Sequence, residues 1–316
     1  MHNQKPLNGQ PLKTLCDKIP SGENYFKTRD HVSIRYGIWP CGKKRLGTVL
    51  LLAGRSEFME KYAEPVGGLT KRGYDVYSLD WRGQGLSDRA LPDRHKGHVG
   101  DFNDFVRDLR EFYDRILEPA VSRPLILLAH SMGGHVAVRF AHDFPGAVDR
   151  MILSSPMLGI NFSPVPKFLV RCLVRVMSMG GLSRAYAPGN GPYRVSRQRF
   201  KNNPLTSDYH RFMDHVDAVK RNPDLAVGGV TYGWLAAALD SIDLVGRPGY
   251  AEAVKTPTLM AIAENDRIVS RKAQETLCAR MPFCTTRLIR KARHEILKEN
   301  DDVQQQFWQA FDAFGS

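Results

Sequence analysis

Residues 124–134, Pro-Leu-Ile-Leu-Leu-Ala-His-Ser-Met-Gly-Gly, carry the pattern that decides the fold. An apolar run leads into a serine, and two glycines come one residue after it. In the motif G-x-S-x-G, small neighbours allow a tight turn that places a serine between a strand and a helix. A strand over 124–130 and a helix from Met132 onward are predicted here, so Ser131 has the context that the motif requires. Ala129 replaces the usual first glycine, and a plain helix N-terminus capped by serine is the alternative.

Short apolar runs rich in β-branched residues recur along the chain and alternate with helical patterns. Runs that are apolar on both faces are typical of parallel strands covered by helices on both sides. These runs are 48–53, 74–81, 124–130, 148–155, 256–264 and 285–290. Apolar residues at helical spacing predict helices over 102–116, with Asp101 as N-cap, and over 302–314. Alternating stretches within 25–39 predict a hairpin. The sequence therefore predicts an α/β fold with a mostly parallel, doubly wound sheet.

The alternation of strands and helices is interrupted between residues 157 and 250. This stretch has helical patterns, no clear strand and a middle at 188–192 that is rich in glycine and proline. We therefore predict an inserted helical cap over 157–250, on an α/β core formed by residues 23–156 and 251–316. Residues 1–22 are polar, contain three prolines and are expected to form a loosely ordered lead-in.

An acid and a histidine would complete the chemistry that a serine nucleophile needs. A serine hydroxyl attacks an ester only when a base accepts its proton and donors hold the oxyanion. In this fold the acid and then the histidine follow the serine along the chain. Asp266 follows the predicted strand 256–264, and His294 follows 285–290, at strand ends where catalytic loops gather. Glu264 remains a second candidate for the acid, and a surface histidine is the alternative for His294.

The charge of the chain is strongly positive. The 316 residues include 45 Lys plus Arg and 33 Asp plus Glu, which gives a net charge of +12. Such an excess attracts anionic surfaces, but no run of five or more basic residues occurs, so nucleic acid is not expected as a partner. Residues 167–177 predict an apolar helix with Arg171 and Arg175 on one stripe. This helix would rest either on an anionic membrane or on the protein core with two exposed arginines.

The cysteines and the N-terminus bear on the cellular compartment. Five cysteines are scattered along the chain without a Cys-x-x-Cys pair. This pattern indicates neither a zinc site nor a disulfide framework, and reduced thiols are expected. The first residues lack the apolar segment of a signal peptide, and every apolar run is too short to span a bilayer. We therefore expect a cytoplasmic protein, with at most peripheral contact with the inner face of the membrane.

Five segments, in order along the chain, carry a family resemblance. They are Leu-Ala-Gly-Arg at 52–55, Asp-Trp-Arg-Gly-Gln-Gly-Leu-Ser at 80–87, Ala-His-Ser-Met-Gly-Gly at 129–134, Ala-Glu-Asn-Asp-Arg-Ile-Val at 263–269 and Ala-Arg-His-Glu-Ile-Leu at 292–297. Together they resemble the monoacylglycerol lipase and lysophospholipase branch of the α/β-hydrolases. The pair Gly54-Arg55 and the stretch 97–104 look most like the bacterial lysophospholipases L2.

The resemblance implies the α/β-hydrolase fold and assigns the site residues. It implies Asp266 rather than Glu264 as the acid, and an oxyanion hole built from the backbone N–H groups of Arg55 and Met132. Ala53 stands where the family has histidine, which removes a polar side chain but no backbone donor. No metal and no organic cofactor is implied.

The resemblance also implies a reaction and a class of substrate. His294 would accept the proton of Ser131 while the hydroxyl attacks an ester carbonyl, and water would then hydrolyse the acyl-enzyme. The expected substrate is a small amphiphilic lipid ester, either a lysophospholipid or a monoacylglycerol. The alternatives are a short-chain carboxylesterase, a thioesterase, a proline-iminopeptidase-like hydrolase and a non-catalytic α/β-hydrolase that only binds a ligand. The segment 80–87 is expected to brace a loop, with Asp80 and Arg82 as the bracing residues.

Overall fold

The apolar runs form the strands of one mostly parallel sheet, as predicted. The computed structural model describes residues 24–42, 44–162 and 165–315, so the lead-in expected at 1–22 lies outside the described residues. The strands are β1 (Asn24–Lys27), β2 (Ser33–Trp39), β3 (Gly47–Leu52), β4 (Tyr74–Leu79), β5 (Leu125–His130), β6 (Arg150–Ser154), β7 (Thr258–Ala263) and β8 (Cys284–Ile289). Their order in the sheet is β1-β2-β4-β3-β5-β6-β7-β8. The hairpin of β1 and β2 is confirmed, β2 also pairs antiparallel with β4, and the other pairs are parallel.

Helices connect these strands. Within the described ranges they are α1 (Ala63–Lys71), α2 (Asn103–Phe112), α3 (Ser131–Asp143), α4 (Lys167–Met177), α5 (Tyr209–Arg221), α6 (Tyr232–Gly246), α7 (Tyr250–Ala253), α8 (Arg271–Arg280) and α9 (Asp301–Gly315). Shorter 3₁₀ or π turns lie at Met59–Tyr62, Tyr113–Leu117, Glu118–Ala120, Ser178–Leu182, Val195–Arg197, Pro223–Leu225 and Ile296–Lys298. The predicted N-cap of α2 is wrong by one residue, because Phe102 occupies that position. Asp101 still accepts a hydrogen bond from the backbone N–H of Asn103 at 2.8 Å.

The sheet is covered by helices on both faces. Side chains of β3 alternate between two apolar clusters, as the two-residue period of a strand requires. Leu50 and Leu52 pack in the cluster that contains α2 and α3. Val49 and Leu51 pack in the cluster that contains α1 and α9. This arrangement leaves the carboxyl ends of the central strands, which neither helix layer covers, as the place where functional loops can meet.

The chain between β6 and β7 contains α4 to α7, and its described residues add no strand to the sheet. The boundaries predicted for the cap, at residues 157 and 250, stay a prediction. Helix α4 packs only part of its apolar surface on the core, through Val170, Val174 and Met177. Phe168 is 64% exposed and Val176 67% exposed, whereas Val174 is buried. The interpretation of α4 as a helix packed on the core therefore holds for one of its faces, and its contact with a membrane stays a prediction.

One expectation about the cysteines is wrong. Cys278 near the end of α8 and Cys284 at the start of β8 form a disulfide, with their Cα atoms 5.3 Å apart. Cys172 is exposed and not disulfide-bonded. The sequence did not predict the bond because only the fold brings the end of this helix against the start of this strand.

Candidate active site

Ser131 occupies a tight turn between β5 and α3. Its backbone has a φ of +50°, in the left-handed region that a residue with a side chain rarely adopts. Gly133 permits this turn, because a Cβ atom there would lie 2.5 Å from the carbonyl oxygen of Ala53. Ala129, buried in β5 opposite Leu52, does not prevent the turn. Strained backbone of this kind is frequent at functional sites.

The structure brings the three predicted side chains together in one chain of hydrogen bonds. His294 Nε2 lies 2.9 Å from Ser131 Oγ, and His294 Nδ1 lies 2.7 Å from a carboxylate oxygen of Asp266. Ser131 is 7% exposed and His294 5% exposed, so bulk water hardly competes for these bonds. A neutral His294 with its proton on Nδ1 donates to Asp266 and accepts from the hydroxyl.

Glu264, the other candidate for the acid, lies elsewhere. It is exposed, and its carboxylate accepts a hydrogen bond from the backbone N–H of Lys291 at 2.8 Å. The acidic partner of His294 is therefore Asp266, as the family resemblance implied.

Asp266 is held in its charged form. Burial by itself would raise the pKa of Asp266, but the hydrogen bond from His294 lowers it, and the backbone N–H groups of Val269 and Ile268 lower it further. These two groups donate to one carboxylate oxygen at 3.0 and 2.8 Å. The net pKa lies below its ordinary value, so the carboxylate stays ionised and orients the imidazole.

The two predicted oxyanion donors lie in segments that touch beside the serine. Arg55 follows β3, and Met132 is the second residue of α3, where helix N–H groups lack carbonyl partners within the helix. A Cβ atom at Gly54 would lie 3.2 Å from Ser131 Cβ, which shows how closely the loop after β3 approaches the nucleophile. The backbone N–H groups of both residues are thus available on adjoining segments.

A buried ion network, which sequence reasoning missed, joins this loop to the histidine loop. Lys61 Nζ lies 2.7 Å from a carboxylate oxygen of Glu57 and 2.6 Å from one of Glu295. Glu57 also accepts a hydrogen bond from Gly54 N–H at 2.5 Å and from the Tyr62 hydroxyl at 2.6 Å. Because Glu295 directly follows His294, Lys61 connects the two loops that lie on either side of Ser131. The spacing of four residues between Glu57 and Lys61 was the available signal.

His130, the residue before Ser131, was also missed. Its ring centroid lies 4.8 Å from that of His294, and its Nδ1 lies 3.0 Å from the carbonyl oxygen of Ser154. Burial lowers the pKa of His130 to about 4, with Glu57 acting in the opposite direction. His130 is therefore neutral at pH 7 and does not repel a proton that arrives on His294.

The segment 80–87 braces the site, as expected. Asp80 accepts hydrogen bonds from Arg35 Nε at 2.8 Å and from the backbone N–H groups of Met59 and Leu86 at 3.0 and 2.9 Å. Arg82 pairs with three aspartates of neighbouring segments, Asp30, Asp104 and Asp108.

A cavity of about 350 Å³ opens between the loops that carry Arg55 and Glu295 and parts of the chain between residues 189 and 229. We call it the cap cavity, and its lining includes Arg55, Lys61, Tyr193, Arg194, Arg197 and His215. Within the described ranges, no group of three or more histidine, cysteine or acidic side chains is placed to hold a metal ion.

Comparison with known proteins identifies the family. The family model described as Serine aminopeptidase, S33 (Hydrolase_4) matches residues 43–301. Lysophospholipase L2 of Escherichia coli K12 is 36% identical over 266 residues, which cover 81% of this chain and 76% of that protein. A monoacylglycerol lipase of Mycolicibacterium smegmatis is 27% identical over 78% of this chain and 80% of its own.

Solved structures agree with this result. A soluble variant of the monoglyceride lipase from Saccharomyces cerevisiae superposes with a TM-score of 0.73 at 18% identity, over 92% of this chain and 94% of its own. A carboxyl esterase from Bacillus coagulans gives a TM-score of 0.72 at 17% identity, over 92% and 96% of the two chains. The predicted fold class and family resemblance are confirmed, and the chain belongs to the serine aminopeptidase S33 family of α/β-hydrolases.

Proposed function

We propose that this chain is a serine hydrolase that cleaves the carboxylic ester of a single-chain lipid, a lysophospholipid or a monoacylglycerol. The observation that carries the proposal is the hydrogen-bonded chain from Ser131 through His294 to Asp266, with distances of 2.9 and 2.7 Å. A nucleophile, a base and a group that orients the base are the minimum that acyl transfer by serine requires.

The reaction proceeds in two acyl-transfer steps. His294 Nε2 accepts the proton of Ser131 while Oγ attacks the ester carbonyl, and Asp266 stabilises the imidazolium that forms. The backbone N–H groups of Arg55 and Met132 donate to the oxyanion. His294 then protonates the leaving alcohol, and a water molecule activated by the same histidine hydrolyses the acyl-enzyme.

The relatives support lipid esters as the substrate class. Two of them are named as a lysophospholipase and a monoacylglycerol lipase. A peptidase with a free-amine substrate would need unpaired carboxylates near the pocket. The acidic cap residues are instead paired with cations, in the pairs Asp208–Arg211, Asp214–Lys298 and Asp217–Lys220.

We also propose that α4 lies on an anionic membrane surface when the enzyme meets its substrate. Its exposed side chains include Phe168, Leu169, Leu173 and Val176, and apolar side chains beside basic ones are typical of helices that lie in a membrane interface. No helix in the described part of the chain is long and apolar enough to cross a bilayer. We expect co-sedimentation with anionic vesicles at low salt to fall in Phe168→Ser. Equal recovery with neutral and anionic vesicles would contradict this contact.

A panel of acyl esters tests the proposed activity. We expect hydrolysis of lysophosphatidylethanolamine and monoacylglycerol to exceed that of short p-nitrophenyl esters, and a fluorophosphonate probe to label Ser131. Ser131→Ala should keep its fold and lose about 10⁶ in kcat, since the three groups act as a unit. Absence of labelling in the wild type would instead indicate a protein that only binds its ligand.

A further inference from the structure

The cap cavity adjoins the proposed site on one side. Arg55 contributes its backbone to the loop beside Ser131, and its side chain lines the cavity. Glu295, the residue after His294, lines the cavity as well. A ligand group bound in the cavity would therefore lie next to an ester held at the serine. Its volume of about 350 Å³ is within the range of small-molecule sites.

The charge in the lining is unbalanced. Lys61 is neutralised by Glu57 and Glu295, the two carboxylates of the lining. The lining residue Arg211 is held by the carboxylates of Glu64, Asp208 and Asp301.

Three other guanidinium groups of the lining, those of Arg55, Arg194 and Arg197, form no ion pair with a carboxylate in the part of the chain that the structure describes. Arg55 instead donates to the carbonyl oxygen of Gly228 at 3.0 Å and lies 5.9 Å from the ring of Trp234. Burial lowers the pKa of Arg55 to about 10, so the side chain is still charged at pH 7. Three charged groups that form no ion pair among the described residues therefore line one cavity. Arg194 and Arg197 are exposed, and the Glu57 carboxylate attracts Arg55 without pairing with it.

Polar atoms without a partner lie in the same lining. Among the described residues, Ser56 Oγ, Tyr193 Oη and His215 Nδ1 are shielded from solvent and have no hydrogen-bond partner. All three residues line the cap cavity. A buried polar group left unsatisfied costs about 1–3 kcal/mol, so such groups normally meet a ligand or water. Hydroxyl groups and arginine side chains are the donors that proteins use for phosphate oxygens.

We propose that the cap cavity binds the phosphate of a glycerophosphate head group and thereby favours lysophospholipids over monoacylglycerols. This inference rests on the proposed function, because it names the part of the lipid that lies beside the reacting ester. The phosphate would form ion pairs with Arg55, Arg194 and Arg197. The same chemistry suits a free phosphate ion, so the test includes that source.

Kinetics with matched substrates form the first test. We compare lysophosphatidylethanolamine with the monoacylglycerol of the same acyl chain, for the wild type and for Arg194→Gln/Arg197→Gln. We expect kcat/KM for the phospholipid to fall about 10- to 100-fold, mainly through KM, because bonds to charged groups are strong. For the monoacylglycerol the change should be less than about twofold. Arg199→Gln, an exposed arginine of the same segment outside the lining, is the control and should change neither value.

An equal loss for both substrates, or no loss for either, would overturn the head-group site. Tyr193→Phe removes one of the unpartnered hydroxyl groups without a change of charge. It should weaken the phospholipid reaction by a smaller factor than the arginine variant does.

Binding forms the second test and does not depend on hydrolysis. Ser131→Ala is titrated with an ether-linked lysophosphatidylethanolamine, an alkylglycerol of equal chain length, glycerol 3-phosphate and inorganic phosphate. We expect the ether phospholipid to bind at least about tenfold more tightly than the alkylglycerol. That preference should disappear with the two arginine substitutions. Equal affinity for both lipids would contradict the inference, even if inorganic phosphate binds.

The two tests separate this inference from the proposed function. If the wild type hydrolyses neither lipid, the proposed function fails, and the binding preference still decides whether the cavity takes a phosphate.

Discussion

Replacement of Lys61 by methionine should destabilise the protein and slow the reaction together. The side chain of Lys61 is 3% exposed, and those of Glu57 and Glu295 are 5% and 8% exposed. Burial would lower the pKa of Lys61, but Glu295 and Glu57 raise it well above its ordinary value. Methionine fills a similar volume and leaves two buried carboxylates without their cation.

The magnitude follows from this burial. Removal of one partner from a buried ion pair costs about 3–5 kcal/mol of folding free energy. At about 2.1 cal/mol/K per residue for the entropy of unfolding, a chain of this length should lose about 5–8 °C in Tm. We also expect kcat to fall about tenfold, because Lys61 aligns the loop before the nucleophile with the loop that carries His294.

Urea unfolding and ester hydrolysis measure the two effects. Lys71→Met, which removes an exposed lysine of α1, is the matched control and should change stability by less than about 0.5 kcal/mol. Lys61 lowers the pKa of Glu57, so without this cation the pKa of that carboxyl group should rise in the folded state. The deficit of Lys61→Met should therefore shrink as the pH falls towards 5, because the folded variant then takes up protons more readily than the unfolded chain.

Conversion of all three groups, as in Glu57→Gln/Lys61→Met/Glu295→Gln, should restore part of the stability, since neutral groups need no cation. A loss no larger than that of Lys71→Met, or a deficit that grows at low pH, would refute the reasoning.

Three further predictions concern single residues or pairs. Asp266→Asn should lower kcat about 10⁴-fold in an ester hydrolysis assay, because asparagine holds the wrong tautomer of His294. Glu264→Gln should leave kcat unchanged, and equal effects of the two substitutions would contradict the assignment of the acid. Burial lowers the pKa of His135 from 6.5 to about 3, so stability should fall as the pH drops below 6.5. This dependence of the unfolding free energy on pH, about 1.4 kcal/mol per pH unit, should be absent when His135→Gln is unfolded with urea at a series of pH values. Reduction of the Cys278–Cys284 bond should cost about 2 kcal/mol, and Cys278→Ala/Cys284→Ala should no longer respond to reductant in thermal unfolding.

Most of the fold could be predicted because its signals are local. The strand at 124–130 is a continuous apolar run, and the helix over 302–314 shows a helical period, so each signal is complete within one segment of sequence. The geometry at Ser131 depends on packing between segments, but the glycines that follow Met132 indicate this geometry in the sequence.

The parts that sequence did not predict depend on contacts between distant segments. Opposite charges four residues apart, such as Glu57 and Lys61, are commonplace, and nothing local indicates that Glu295, 234 positions from Lys61, completes the network. The disulfide partner of Cys278 and the exposure of Phe168 depend in the same way on which surfaces the fold brings together. The choice of Asp266 over Glu264 needed either the family resemblance or the structure.

In the proposed mechanism, the separation of Ser131 and His294 by 163 positions determines when the serine becomes reactive. A growing chain folds from its N-terminal part, and the serine hydroxyl is an ordinary alcohol until its base arrives. The base arrives only after β7 and β8 have joined the edge of the sheet. During synthesis, the serine of a ribosome-bound folding intermediate is therefore unreactive. It becomes reactive only when the last strands of the sheet are in place.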